Sequence, residues 1–225
     1  MSFDRRVAFG CWVLAAIALV ATTAISDPPP VPIENDEAAF EDLVAYLDAS
    51  VTGDWLVEFE AVRTDAEGQR VASLVTEARH EPYHVVLSDE QATIDDGQDA
   101  FSCLVVETGL ECLRRTERET ISTADVVRAA VDDADAYVVT RLRGQDIANE
   151  DASCFRLFAA SGYLPGLGAE TRYCFSDDGI PLWTQTIDLQ RTDERRARLV
   201  VRNPSTARVE GMVRGLEAAV PEVEG

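Results

Sequence analysis

After Gly53 the apolar residues change period from about four to two, and that change governs what the chain can fold into. Trp55, Val57, Phe59 and Ala61 alternate with mostly polar neighbours, the pattern of a strand with one buried face and one wet face. Strand-like runs follow at 71–78, 83–88, 101–106 and 111–116, with turn signals at Glu67-Gly68 and Asp96-Gly97. A second group occupies 137–143, 153–159, 172–176, 182–190 and 196–201. Three helical patterns surround these runs. Asn35 is placed to cap a helix with Asp36 and Glu37 in its first turn and a stripe of Phe40, Leu43, Val44 and Leu47. Ser122 with Asp125 resembles a capping box ahead of Val127, Ala130, Val131 and Ala134. Asn203-Pro204 opens a last helix with Val209, Met212, Val213 and Leu216 on one face. Sequential strands interrupted by one helix and flanked by two predict an α+β domain, a curved antiparallel sheet with helices on one face. A doubly wound α/β fold is disfavoured, because strands do not alternate regularly with helices.

Residues 7–25 are uncharged and apolar and follow Arg5-Arg6. They are long enough to cross a bilayer, which takes roughly 20 apolar residues. The two arginines should stay inside, which puts everything from Ser26 onward outside. Small residues at Thr22 and Ala24 suit a signal peptidase, whereas the length suits an uncleaved anchor. The expected organisation is therefore a signal peptide or membrane anchor at 1–26, a proline-rich stalk at 27–34 and an extracytoplasmic domain at 35–225. The protein is expected in the cell membrane as a single-pass protein, or secreted if the segment is cleaved. Within the stalk, DPPPVP favours an extended polyproline conformation.

Of 225 residues, 41 are acidic and 20 basic, for a formal net charge of -21. Nucleic-acid affinity comes mainly from basic groups on phosphates, so DNA and RNA are excluded as expected partners. The acidic groups Asp95-Asp96 with Asp99, Asp132-Asp133 with Asp135, and Asp177-Asp178 lack the spaced frame that wraps calcium and read as turns or helix surface. His80-Glu81-Pro82-Tyr83-His84 matches the letters of H-E-x-x-H, the zinc-protease motif. Pro82 opposes the helix that motif needs, so a turn before a strand is expected, with no catalytic residue, metal or cofactor. The glycines between Gly162 and Gly168 do not match a phosphate-binding loop and read as a connection between strands.

Beyond Cys11 the chain holds four cysteines, Cys103, Cys112, Cys154 and Cys174. An even number in an oxidising compartment indicates disulfides. Pairing Cys103 with Cys112 and Cys154 with Cys174 joins strands linked by a local connection, which brings their Cβ atoms within reach.

The second β group also carries a family resemblance. The order Cys154-Phe155-Arg156-Leu157, a loop, Tyr173-Cys174-Phe175-Ser176-Asp177-Asp178-Gly179-Ile180-Pro181-Leu182 and a long alternating strand resembles the late part of LolA-like and LppX/LprG-like bacterial envelope proteins. That superfamily includes lipid and lipoprotein carriers and envelope-stress sensors of related shape. The resemblance implies a half-barrel of antiparallel strands with helices on the concave face, and an apolar cavity between them that takes an acyl chain. Candidate lining residues are Trp55, Val57, Phe59, Trp183 and Ile187. The chain departs from the lipoprotein members in lacking a usable lipobox, since Cys11 precedes most of the apolar run. Two functions are expected on these grounds. One is a membrane-tethered, non-catalytic binding module for a lipid or lipidated ligand. The alternative is an envelope sensor or protein-interaction domain with a solid core and an envelope protein as partner.

Overall fold

A computed structural model of the chain describes residues 35–106, 109–115, 123–133, 136–160 and 167–217. The expected export segment and stalk, at 1–26 and 27–34, lie outside them. Among the described residues no helix is long and apolar enough to cross a membrane. Helix α1 (Glu37–Thr52) leads into a meander of six strands: β1 (Trp55–Asp65), β2 (Arg70–His80), β3 (Tyr83–Ser88), β4 (Gln91–Asp95), β5 (Ala100–Val106) and β6 (Gly109–Arg115). Helix α2 (Thr123–Arg128) runs on into a π-helical turn at Ala129–Asp133. A second meander follows, β7 (Tyr137–Ile147), β8 (Glu150–Ala159), β9 (Glu170–Phe175), β10 (Pro181–Ile187) and β11 (Arg191–Arg202), and then helix α3 (Thr206–Glu217).

All eleven strands join one open sheet in the order β6-β5-β4-β3-β2-β1-β11-β10-β9-β8-β7. Every neighbour is antiparallel and consecutive in sequence except β1 and β11, whose pairing fuses the two meanders. That pairing runs from Trp55 opposite Arg202 to Asp65 opposite Arg191, with Arg198 bulged out of register. The large unclosed antiparallel sheet fits a curved half-barrel. Of the strands, only β4 is absent from the sequence reading. Its apolar residues, Ala92 and Ile94, sit between turn-forming neighbours, and pairing with β3 and β5 on both sides makes them a strand.

The cap of α1 is Asp36 rather than Asn35. The Asp36 carboxylate accepts from the Ala39 amide at 3.0 Å, while Asn35 Oδ1 accepts from the Val139 amide on β7. Ala39, Leu43 and Leu47 of α1 and Val127 and Ala130 of the second helical segment are buried with Tyr137, Val139, Phe155, Leu157, Tyr173 and Phe175. Tyr46 of α1 stacks on Phe175, with ring centroids 5.5 Å apart.

Side-chain alternation shows that the helices do not share one face, which corrects the expectation of helices gathered on the concave side. Trp55 and Arg79 stand opposite each other, and both meet the end of α1: the indole N–H donates to the Ser50 carbonyl and Arg79 Nη1 to that of Val51. Leu56 and Ala78, the next opposed pair, point the other way and pack with Val85, Ile94 and Val209 of α3. His80, on that second face, is 2.8 Å from Thr206 Oγ1. The linker Asn203–Ser205 leaves β11 at the same end of the sheet at which α1 enters β1 but turns to the other face, with Asn203 in a left-handed conformation and its amide bonded to the Asp54 carbonyl.

Both expected bridges are present. Cys103 and Cys112 are directly opposed on β5 and β6, and Cys154 and Cys174 on β8 and β9, with Cα separations of 3.9 and 4.1 Å.

Candidate functional site

Trp55, Val57, Phe59 and Trp183 are gathered in one core cluster, together with the Cys154–Cys174 bridge, Leu182 and Ala197. They are 0–6% exposed. Their polar atoms are spent within the protein: the Trp55 indole on Ser50 and the Trp183 indole on Glu194 Oε1 at 2.9 Å. Ile187 stands apart at the end of β10, half-buried, opposite Thr192.

An open groove of about 710 Å³ begins where this cluster ends. Phe59 is opposite Val75, and Val75 lines the groove. Ser73, Val86, Thr93 and Ser102 continue its lining across β2 to β5. Strands β1 and β11 contribute Arg63, Arg191, Asp193 and Arg195, and the β3–β4 turn contributes Asp89 and Glu90. The alternation that buries Phe59 on this face places Ala61 and Arg63 next along it, so the same strand supplies core at one end and groove at the other. Sequence reasoning stopped at Phe59, because polar residues on a strand are ordinarily solvent-facing. The signal that points further is the opposition of Arg63 to Asp193 across β1 and β11, invisible before the register is known.

Within the groove Asp193 holds two guanidinium groups, with Arg63 Nε at 2.9 Å and Arg191 Nε at 2.8 Å. The hydrogen bond that Arg63 donates to Asp193 raises the guanidinium pKa above its ordinary value. Arg195 lies 3.8 Å from Glu77, which also takes His84 Nε2 at 3.0 Å. The groove is thus a trough of small apolar and hydroxyl side chains with charges of both signs along its sides, which suits an extended ligand of mixed polarity.

The histidine motif forms the turn between β2 and β3. His80 and His84 fall on opposite faces of the sheet, one on Thr206 and the other on Glu77, so they cannot share an ion. The acidic groups serve turns. Asp95 accepts from the Gly97 amide, Asp96 from the Gln98 and Asp99 amides, and Asp99 pairs with Arg114. Asp178 accepts from Ser176 and Arg202. The side chains of Asp132, Asp133 and Asp135, and most of the 162–168 glycine loop, lie outside the described residues; Gly168 within them accepts from the Tyr137 hydroxyl at 2.6 Å. Among the described residues no group of three or more His, Cys, Asp or Glu is placed to hold a metal ion.

No protein-family profile matches the chain, and no curated protein matches it in sequence. Solved structures do. A chain of the MucA/MucB complex of Pseudomonas aeruginosa is 12% identical, with a TM-score of 0.51 over 76% of this chain and 60% of that one. A crystal structure of MucB gives 12% identity and a TM-score of 0.51, over 78% and 63%. The fold is like that of MucB. At this identity the likeness concerns the fold alone, and the chain spans less than two thirds of the MucB chain. The LolA superfamily read from the second β group is also found among the matches: a LolA superfamily protein of Nitrosomonas europaea is 10% identical, with a TM-score of 0.31 over 73% of this chain and 95% of that one. That likeness is too distant to carry an argument about function.

Proposed function

We propose that this chain is a non-catalytic extracytoplasmic interaction module, held at the membrane by residues 1–26, whose groove takes an extended segment of another envelope protein. The observation that carries this reading is the lining of the groove. Ser73, Thr93 and Ser102 offer donors and acceptors to a peptide backbone, and arginines and acids along the sides match side chains of either sign. An acyl chain needs unfilled apolar surface, and four of the five residues expected to supply it, Trp55, Val57, Phe59 and Trp183, are packed against protein, while Ile187 stands apart from them. MucB, which has a similar fold, has been solved in complex with MucA, so a fold of this kind accommodates a protein partner.

The lipid-carrier reading makes the opposite prediction and is tested in the same experiment. A photo-crosslinking amino acid at Thr93 of the full-length chain, compared with one at exposed Val51, is expected to yield a polypeptide adduct only from the groove. Absence of any polypeptide adduct, together with recovery of acyl lipid bound to the full-length chain in native mass spectrometry, would overturn the proposal in favour of the carrier.

A further inference from the structure

The two edges of the sheet are treated differently. Along β7 the edge is covered: the Asp36 amide donates to the Val139 carbonyl at 3.1 Å, and the Val139 amide donates to Asn35 Oδ1 at 3.0 Å. The other edge, β6, has no strand beyond it in the sheet and, among the described residues, nothing comparable across it. An uncovered edge presents a row of backbone donors and acceptors ready to pair with another strand. The Cys103–Cys112 bridge clamps β6 to β5, so this edge is held in one register. Cys103 is buried in the same core cluster as Val209 of α3, whereas the opposite face of the same hairpin leaves Leu104 54% and Leu113 77% exposed. Ser102, opposite Leu113, already lines the groove.

Which strand fits this edge can be read from β6 itself, Gly-Leu-Glu-Cys-Leu-Arg-Arg. Laid antiparallel on a second copy with Leu113 opposite Leu113, the strand is self-complementary. Glu111 then stands opposite Arg115 of the other copy at both ends, and the two leucines meet at the centre on one face. A central apolar pair flanked by opposite charges in two-fold symmetry is what an isologous contact requires. We propose that two copies of this chain associate edge to edge through β6, centred on Leu113, to join their sheets. A pairing of two seven-residue strands is small for a specific interface, so the dimer is expected to dissociate in roughly the micromolar range.

The test is a charge-exchange series on the full-length chain in a non-ionic detergent, followed by sedimentation velocity over a concentration series. The unaltered chain is expected to shift from monomer to dimer with concentration. Glu111→Arg and Arg115→Glu each place like charges opposite one another twice, and each is expected to weaken association by about tenfold. The double variant restores opposite charges with the order reversed and is expected to dimerise like the unaltered chain, which also shows that neither position is needed for folding. A chain monomeric at every concentration would overturn the proposal and leave the edge to a strand of a different protein. Dimerisation unaffected by either single exchange, or not restored by the double one, would overturn it equally.

Discussion

Single residues decide two features of this protein by opposing local rules. Burial pushes the Glu170 carboxyl up, yet hydrogen bonds from Arg156 at 2.5 Å and Arg172 at 2.6 Å outweigh it and hold the carboxyl below its ordinary value of 4.5. A depressed pKa in the folded state adds stability above the ordinary value, and that stability disappears as pH falls through 4.5 and then the lower folded value. Both arginines are more than a third exposed, so solvent screening keeps the contribution to about 1 kcal/mol. Glu170→Gln is therefore expected to lose about 1 kcal/mol at pH 7 and almost nothing at pH 2 in paired urea titrations; an equal loss at both would assign the effect to packing. Gly179 and Gly68 share the left-handed backbone region, at φ +83° and +81°, but differ in what surrounds them. A Cβ on Gly179 would lie 2.6 Å from that of Ala49 in α1, whereas one on Gly68 would meet open space. Thermal denaturation should show Gly68→Ala costing about 1 kcal/mol and Gly179→Ala about 3 kcal/mol, because only the second must also push α1 away.

At the scale of elements, the two bridges are cross-strand links in the two meanders, closing sequence separations of 9 and 20 residues. Loop-closure entropy gives the longer link the larger effect, about 3 kcal/mol against about 2.5 kcal/mol, on a chain-entropy account. Replacing Cys154 and Cys174 by Ala is thus expected to lower the urea midpoint more than replacing Cys103 and Cys112. The reverse order would place the main effect in the folded hairpins rather than the unfolded chain. Helix α1 is seated by its buried stripe and by the rings of Phe155 and Phe175 around Tyr46. Phe155, which is fully buried, is the residue on which that seat depends, and Phe155→Ala should cost about 4 kcal/mol by calorimetry. Next to it the Tyr173 hydroxyl is pushed up to about 12 by burial and by nearby Tyr137, so it stays neutral through the physiological range.

For the whole molecule, the pairing of β1 with β11 is, among the described residues, the one strand pairing that joins two meanders otherwise local in sequence. Amides of Val57 and Val200, toward the buried end of that pairing, are expected to exchange with the slowest opening of the protein and those of β6 with the fastest of any strand, read by hydrogen exchange. Equal protection of β6 in the concentration range of the dimer, lost on dilution, would report the edge contact directly. Much of this architecture was legible beforehand. Period-two runs marked ten of eleven strands, helical stripes marked three helices, and strands consecutive in sequence identified both cysteine pairs, because neighbouring antiparallel strands bring such residues face to face. The candidate ligand residues were legible as apolar positions and no further, since Trp55 or Phe59 reads alike whether it lines a cavity or fills a core. Ala92 and Ile94 were too few to announce β4, and Asn35 and Asp36 are equally good caps until Val139 claims one of them. By itself, then, the sequence determined the local elements, their antiparallel order and the oxidised hairpins, all of which follow from periodicity and short connections. Only the tertiary structure decided that α1 and α3 cover opposite faces, that Arg63 meets Asp193 to shape the side of a groove, and that among the described residues the β7 edge is covered and the β6 edge is not. These depend on the register between β1 and β11, two strands separated by most of the chain, and no local pattern encodes such a register.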